Sequence, residues 1–177
     1  MIFRFPEIRD EGALRLAHEE LDQDKSNFLL DGYEPGLNFH SYLERVNNSA
    51  LGIHLFSDRV PSTFLILEIS GEIVGRVSVR HSLNDWLAKN GGHVGYAVRP
   101  AFRNLGYAKL LLAEGLRICS SLGISEALLT CNESNTASRK VIEAAGGQLE
   151  NTIQDGETLL RRYWVPTREV LVGVNRS

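Results

Sequence analysis

A short basic segment at residues 103–108 has the residue types and spacing that could bind a phosphate group. It reads Arg-Asn-Leu-Gly-Tyr-Ala, with an arginine three positions before the glycine and a small residue two positions after it. Gly106 would let the backbone approach a ligand without a Cβ, and Arg103 adds a fixed positive charge. A helix that begins here would direct its first unpaired N–H groups at an anion. A pyrophosphate would fit such a turn.

The same segment also matches an ordinary junction between a strand and a helix, and most such junctions bind nothing. Residues 94–98 alternate in size as a strand does, and Pro100 ends that strand. Apolar residues then recur every three or four positions, which predicts a helix of about four turns. This apolar stripe consists of Leu105, Ala108, Leu112, Leu116 and Cys119. The sequence contains neither the P-loop spacing nor the glycine-rich dinucleotide fingerprint.

Length and composition indicate an ordinary globular chain. Its 177 residues, 43% of them hydrophobic and 23% charged, can bury a core without disulfides or metal. We expect a single domain over residues 1–177, with residues 166–177 as a tail. The net charge of −3 argues against a nucleic-acid-binding protein, which normally carries a basic excess. The expected partner is therefore a small molecule or a peptide.

The cysteines and histidines show no metal-ligand spacing, so we expect no metal site. Cys119 lies on the apolar helical stripe and Cys131 ends an apolar run, which predicts two reduced core residues. A reactive thiol needs an accessible, electropositive site, so Cys131 is not expected to be a nucleophile. The sequence shows no secretory signal pattern and no apolar run of ~18 residues. We therefore expect no membrane span and a cytoplasmic location.

The hydrophobic pattern predicts an α/β chain with the element order β-α-α-β-β-β-α-β-α-β-β. The first strand contains Pro6, which places it at a sheet edge, and Asp10 is a candidate N-cap for the first helix. Asn135 is a candidate N-cap for the last helix, and Asp155 with Gly156 forms a strong hairpin signal. The predicted strands are residues 3–9, 61–68, 73–79, 94–98, 127–131, 149–153 and 158–165.

This order, with the strand Gly-Tyr-Ala-Val-Arg-Pro leading into residues 103–108, resembles the GNAT superfamily of acyl-CoA-dependent N-acetyltransferases. In that family a Q/R-x-x-G-x-G/A segment wraps the CoA pyrophosphate with backbone amides. Arg103, Gly106 and Ala108 match its three defining positions. The resemblance implies an α/β fold with a central, mostly antiparallel sheet of about seven strands and about four flanking helices. The resemblance extends well over residues 60–165. For the preceding residues it rests only on the order of the predicted helices and strands.

A narrower resemblance is to a branch of bacterial predicted acetyltransferases of unassigned substrate. It is carried by residues 81–84, 91–96, 130–132 and 162–164. The resemblance therefore indicates the class of reaction and leaves the acceptor open.

The resemblance implies acetyl-CoA as cosubstrate and assigns residues to its parts. Val98 would offer its backbone to the pantetheine amides, which pair with a strand edge as an added strand does. Asn135 and Ser138, in a segment that resembles the second cofactor element of the family, would face the pantetheine arm or the phosphates. The implied pyrophosphate loop consists of Arg103, Asn104, Leu105, Gly106, Tyr107 and Ala108.

The resemblance also implies direct attack of a primary amine on the thioester in a ternary complex. The family often has a glutamate base four residues before Ala97, where this chain has His93. An imidazole with a pKa of ~6.5 could accept the ammonium proton directly or through water. Alternatively, His93 orders the loop by hydrogen bonding. Ile142 stands where the family often has a tyrosine acid, so the proton donor stays open between water, the amine, Tyr96 and Tyr107.

The acceptor, a small-molecule or peptide amine, is expected between the first two helices, residues 81–92 and the final hairpin. His81 is a second candidate base, with a structural or substrate-binding role favoured. The carboxylates singled out as able to attract an amine are Glu34, Glu72, Asp85 and Glu157.

Two other classes of function remain open from the sequence. The missing glutamate and tyrosine favour a non-catalytic acyl-CoA sensor, and the glycine turn alone also fits a phosphate-binding domain unrelated to CoA. A homodimer through the terminal strands is a further expectation, because exposed strand edges tend to be covered.

Overall fold

The computed structural model of the protein describes residues 1–23, 26–30 and 32–167. The order of strands and helices in these residues is the predicted one. The strands are β1 (Ile2–Arg4), β2 (Ser62–Ile69), β3 (Glu72–Arg80), β4 (Val94–Val98), β5 (Glu126–Asn132), β6 (Gln148–Asp155) and β7 (Thr158–Pro166). The α-helices are α1 (Glu11–Asp22), α2 (Phe39–Leu51), α3 (Tyr107–Ser121) and α4 (Thr136–Ala144). Pro166, predicted to begin a tail, belongs to β7, and residues 168–177 lie outside the described residues.

The seven strands form two antiparallel sheets, where the resemblance implied one central sheet. The first has the order β1-β2-β3-β4 and the second the order β5-β7-β6. β1 lies at the edge of the first sheet, as predicted. Within the described residues β4 pairs with β3, β5 pairs with β7, and no ladder joins β4 to β5. The α/β fold class is confirmed, and the sheet is divided beside the predicted anion turn.

The first sheet carries an apolar cluster on each face, because successive side chains of a strand point to opposite sides. On one face, Val77 and Val79 of β3 are buried in a cluster with Leu111 and Leu112 of α3. On the other face, side chains of β2 pack with helices α1 and α2. This second cluster includes Leu14, Leu21, Tyr42, Val46, Phe64 and Ile66. The sheet therefore separates α3 from the two N-terminal helices.

Two predicted features near the N-terminus are wrong in detail. The first strand stops at Arg4, two residues before Pro6, which has no N–H to donate to a ladder. Asp10 precedes α1, but its side chain makes no capping hydrogen bond to that helix. The carboxylate instead accepts from the backbone N–H of Glu7 at 2.7 Å and pairs with Arg4 at 2.6 Å.

The start of α3 also differs from the prediction. The helix begins at Tyr107, because Asn104 and Gly106 adopt positive φ angles of 63° and 85° that a right-handed helix excludes. Leu105, predicted on the buried stripe, is 61% exposed. The first buried residue of the helix is Leu111.

A glycine in α3 sets how closely this helix packs on the first sheet. A Cβ at Gly115 would lie 2.6 Å from Cγ1 of Val94 and 3.1 Å from Cγ2 of Val77. We expect Gly115→Ala to destabilise the fold by about 1–3 kcal/mol through overpacking, despite the better helix propensity of alanine. Urea unfolding measures this change.

Gly12→Ala in α1 is the matched control, because a Cβ there meets no atom within 4 Å. It should leave the free energy of unfolding unchanged or raise it by up to about 1 kcal/mol. Equal stabilities of the two variants would contradict the close packing of α3 on β3 and β4.

Candidate active site

Among the described residues, β4 is paired with β3 along one edge and with no strand along the other. Arg99 donates its N–H to Val74 at 3.0 Å, and Arg80 donates to the carbonyl of His93 at 2.8 Å. Hydrogen-bonded pairs alternate along an antiparallel ladder, so Tyr96 and Val98 direct their backbone N–H and C=O groups away from β3. These groups face the gap between β4 and β5, called here the β4/β5 cleft. Such an edge can pair with an extended chain of amides.

The predicted anion turn lies at the open end of the β4/β5 cleft. Gly106 is the N-cap residue of α3, makes no side-chain capping bond, and has nothing within 4 Å of the position a Cβ would take. Residues 103–106 are all exposed. The first backbone N–H groups of a 15-residue helix therefore open toward solvent, where the helix dipole favours an anion. Arg103 donates from Nε to the carbonyl of Val98 at 3.3 Å, which brings two predicted binding residues together.

The second wall of the β4/β5 cleft is the start of α4. Asn135 caps this helix, as predicted, by accepting from the backbone N–H of Ser138 at 3.0 Å. The hydroxyl of Tyr96 on β4 lies 3.4 Å from the Oγ of Ser138. Burial raises the pKa of Tyr96 to about 12, so its hydroxyl stays protonated at neutral pH. Ser138 therefore lies beside the side chain of Tyr96, and the role of Tyr96 as a proton donor stays a prediction.

His93 lies at the closed end of the β4/β5 cleft. Its N–H donates to the carbonyl of Leu128 at 2.7 Å, and its Nδ1 accepts from the N–H of Leu128 at 2.9 Å. Burial, and then the charge of Arg80, lower the pKa of His93. This hydrogen bond assigns the proton of the neutral ring to Nε2, which leaves no lone pair for a substrate proton. The geometry fits the interpretation that His93 orders the chain, and its role as general base stays a prediction.

Cys131 and Ile142 belong to the core. Cys131 is 8% exposed, and burial raises the pKa of its thiol to about 11. This confirms the prediction that Cys131 is a core residue; that it is not a nucleophile stays a prediction. Ile142, at the position where the family often has a tyrosine, is 1% exposed and packs in the cluster below α3.

A cavity of about 930 Å³ opens on the face of the first sheet that carries α1. Ser78 and Arg80 of β3 contribute to its lining. A Cβ at Gly95 would lie 3.1 Å from Nη1 of Arg80, so glycine at this position of β4 leaves room for the guanidinium. The aromatic side chains in its wall are His18, Tyr33 and Trp86, and the carboxylates are Glu19, Asp22 and Asp58. The described lining includes no residue of β4, and the cavity approaches this strand through Arg80 of β3, on the side of the first sheet opposite to α3.

The cavity overlaps only part of the region in which the sequence predicts the acceptor. The described lining comes from α1, the connections on either side of α2, the strands β2 and β3, and Asn84, Trp86 and Leu87. It includes no residue of the final hairpin. None of the four carboxylates singled out from the sequence is among these lining residues. Glu19 and Asp22 are three residues apart on one face of α1, a spacing that could have indicated them. Asp58 comes from an irregular connection, where no periodic pattern was available.

Solved structures with the same fold are acetyltransferases. The Salmonella typhimurium protein yncA, solved with its cofactor acetyl-CoA, matches with a TM-score of 0.63 at 15% identity, over 95% of this chain and 94% of that chain. A Salmonella typhimurium acetyltransferase that modifies the N-terminal serine of a ribosomal protein has a TM-score of 0.67 at 15% identity, with 93% of each chain covered. A mutant of the Vibrio cholerae spermidine N-acetyltransferase SpeG has a TM-score of 0.65 at 16% identity, over 94% of this chain and 95% of that chain.

The sequence itself matches the family model described as the acetyltransferase (GNAT) family over residues 22–146. The chain therefore belongs to the GNAT acetyltransferase family. No curated protein sequence matches it. In the part of the chain that the structure describes, no helix has the length and apolar character to cross a membrane. The same residues contain no group of three or more His, Cys, Asp or Glu side chains that could hold a metal ion.

Three histidines should make the stability of the fold depend on pH below neutrality. Burial lowers the pKa values of His18, His81 and His93. When a histidine has a lower pKa in the folded state than its value of about 6.5 in the unfolded state, protonation favours the unfolded state. Its contribution to the free energy of unfolding is therefore complete above about pH 6.5 and is lost as the pH falls below that value. We expect the urea midpoint to decrease between about pH 7 and pH 5, and to decrease less in His93→Asn. Identical pH dependence in the wild type and this variant would contradict the burial of His93.

Proposed function

We propose that the protein transfers an acetyl group from acetyl-CoA to a primary amine, by direct attack of the amine on the thioester in a ternary complex. One observation carries this proposal: an open strand edge on β4 and an open helix N-terminus on α3 meet at the same cleft. The first can pair with the amides of a pantetheine arm, and the second can bind its pyrophosphate. Membership of the GNAT acetyltransferase family supports the assignment.

The residues proposed to hold the cosubstrate divide between these two features. Val98 offers its backbone, and residues 103–108 surround the pyrophosphate with N–H groups and the charge of Arg103. The positive φ of Gly106 and the open space beside it fit a turn that must bring the backbone close to a ligand. Asn135 and Ser138 face the same cleft from α4. Acetyl-CoA supplies an activated acyl group, and these residues bind and orient it.

The burial of both cysteines supports direct attack of the amine on the thioester. Burial raises the pKa values of Cys119 and Cys131 to about 12 and about 11, so neither thiol provides a thiolate at neutral pH. An acyl-enzyme on cysteine is therefore disfavoured. The amine must instead arrive at the thioester in its neutral form, and orientation within the ternary complex supplies much of the rate.

We propose that the acceptor enters through the cavity on the opposite side of the first sheet. Its volume of about 930 Å³ lies within the range of small-molecule sites. Three carboxylates, Glu19, Asp22 and Asp58, line it together with two arginines, Arg59 and Arg80, and this small excess of negative charge supports a cationic amine as the acceptor. Proteins of the same fold include a spermidine N-acetyltransferase and an acetyltransferase that modifies an N-terminal serine. The proposed acceptor is accordingly a primary amine of a small molecule or a peptide.

A second candidate function is a non-catalytic acyl-CoA sensor. Two observations favour it: Ile142 is buried where the family often has a tyrosine, and Nδ1 of His93 is engaged by Leu128. A sensor would bind acetyl-CoA without loss of the acetyl group across a panel of amines. An acetyltransferase would release free CoA with at least one of them.

The first test is isothermal titration of acetyl-CoA into the wild type and an Arg103→Ala, Gly106→Asp double variant. We expect the double variant to bind about tenfold more weakly or worse, equivalent to ~1.4 kcal/mol or more. It loses one positive charge, gains a negative charge at the helix N-terminus, and places a Cβ at a φ of 85°.

Arg117→Ala is the matched control, because Arg117 is an exposed arginine of α3 paired with Glu114, away from the turn. It should bind as the wild type does. Absence of binding by the wild type would contradict the proposed function. Equal affinity for a nucleotide diphosphate without the pantetheine arm would favour a phosphate-binding domain instead.

A further inference from the structure

The closed end of the β4/β5 cleft depends on a reciprocal contact between His93 and Leu128. Both the backbone N–H and the imidazole of His93 bond to the backbone of Leu128, at 2.7 and 2.9 Å. The side chain therefore acts on β5 as a neighbouring strand would, by accepting one of its backbone hydrogen bonds. His93 is 7% exposed, so no bulk water replaces this acceptor.

Gly92 allows His93 to come this close. A Cβ at Gly92 would lie 2.4 Å from the carbonyl oxygen of Leu128 and 3.2 Å from the Cα of Leu129. Its φ of 64° is also one that residues with a Cβ rarely adopt. The Gly92-His93 pair, called here the clasp, thus presses the chain entering β4 directly against β5.

Besides its contact with β5, the clasp is hydrogen-bonded to β3 and to the turn that precedes it. Arg80 of β3 donates its N–H to the carbonyl of His93 at 2.8 Å. Gly92 donates to the carbonyl of Leu87 at 2.7 Å, at the start of the π-helical turn Leu87–Gly91. Side chains of β5 and β7 bond to the backbone of that turn. Thr130 of β5 donates to the carbonyl of Asn90 at 2.8 Å, and Arg162 of β7 donates to the carbonyl of Ala88. The turn and both sheets therefore meet at the clasp.

We propose that His93 is a positioning residue whose imidazole, by holding the N–H of Leu128, fixes the point at which β4 and β5 part. This inference rests on the proposed function. The open edge at Tyr96 and Val98 begins three residues beyond His93, about 10 Å along the strand. A shift at the clasp would therefore move that edge relative to α4 and β5. Misplacement of reacting groups by an ångström can cost orders of magnitude in rate.

Two substitutions at His93 separate positioning from proton transfer. His93→Asn keeps an acceptor oxygen at the position of Nδ1 and removes the titrating ring, whereas His93→Leu removes both. Positioning predicts that asparagine retains kcat within about threefold of the wild type with an unchanged pH profile. It predicts that leucine lowers kcat about tenfold or more, with little change in the KM of the amine. A general base predicts that both variants lose about a hundredfold or more.

Amide hydrogen exchange tests the clasp without any activity. We expect residues 126–132 to exchange faster in His93→Leu than in the wild type, and at the wild-type rate in His93→Asn. Gly92→Ala, which keeps the imidazole, should give the same faster exchange because its Cβ pushes the clasp away from Leu128. His40→Asn is the control, since His40 is an exposed histidine on α2 beside Glu44.

The outcomes separate the two proposals. Unchanged exchange in both His93→Leu and Gly92→Ala would overturn the clasp even if the protein binds acetyl-CoA. Equal losses of kcat in His93→Asn and His93→Leu would overturn the positioning role and favour the general base. Failure of the wild type to bind acetyl-CoA would overturn the proposed function, and the exchange result would still decide whether His93 holds β5.

Discussion

The proposed site depends on the separation of β4 from β5, two strands that are hydrogen-bonded at one end only. His93 and Leu128 join β4 to β5 at one end, and no ladder continues from there within the described residues. β4 is therefore paired along one edge and carries outward-facing backbone groups at Tyr96 and Val98 on the other. A strand edge of this kind can pair with another chain of amides, which makes it a natural binding surface.

Ligands can reach the open edge of β4 from either face of the first sheet. On one face, the N-terminus of α3 and the start of α4 border the β4/β5 cleft and favour an anionic, extended ligand. On the other face, α1 and the connections around α2 enclose a cavity with carboxylates in its wall. Glu20 of α1 pairs with Arg99 at the end of β4 at 2.8 Å, which ties the cavity wall to the same strand. In the proposed complex, the donor and the acceptor approach β4 from opposite faces of the first sheet, and the thioester and the amine meet at the open edge of this strand.

The sequence predicts those features that depend on local pattern. Periodicity located the strands and helices, and the cap at Asn135 was read correctly because a capping bond spans only three residues. Asp10 was misread, since its carboxylate serves Arg4 and Glu7, and Arg4 reaches it only in the folded chain. Leu105 was misplaced because positive φ at Asn104 and Gly106 delays the helix. The division of the sheet and the cavity carboxylates depend on contacts between elements distant in sequence, which no local spacing encodes.

The most direct test of this account is backbone amide hydrogen exchange with and without acetyl-CoA. If the open edge of β4 and the N-terminus of α3 bind the cosubstrate, its addition will slow exchange in residues 96–98 and 106–109. The edge strand β6, in the second sheet, will exchange at the same rate in both states. Protection confined to β6, or no protection at residues 96–98 when acetyl-CoA is bound, would contradict the assignment of the β4/β5 cleft as the acetyl-CoA site.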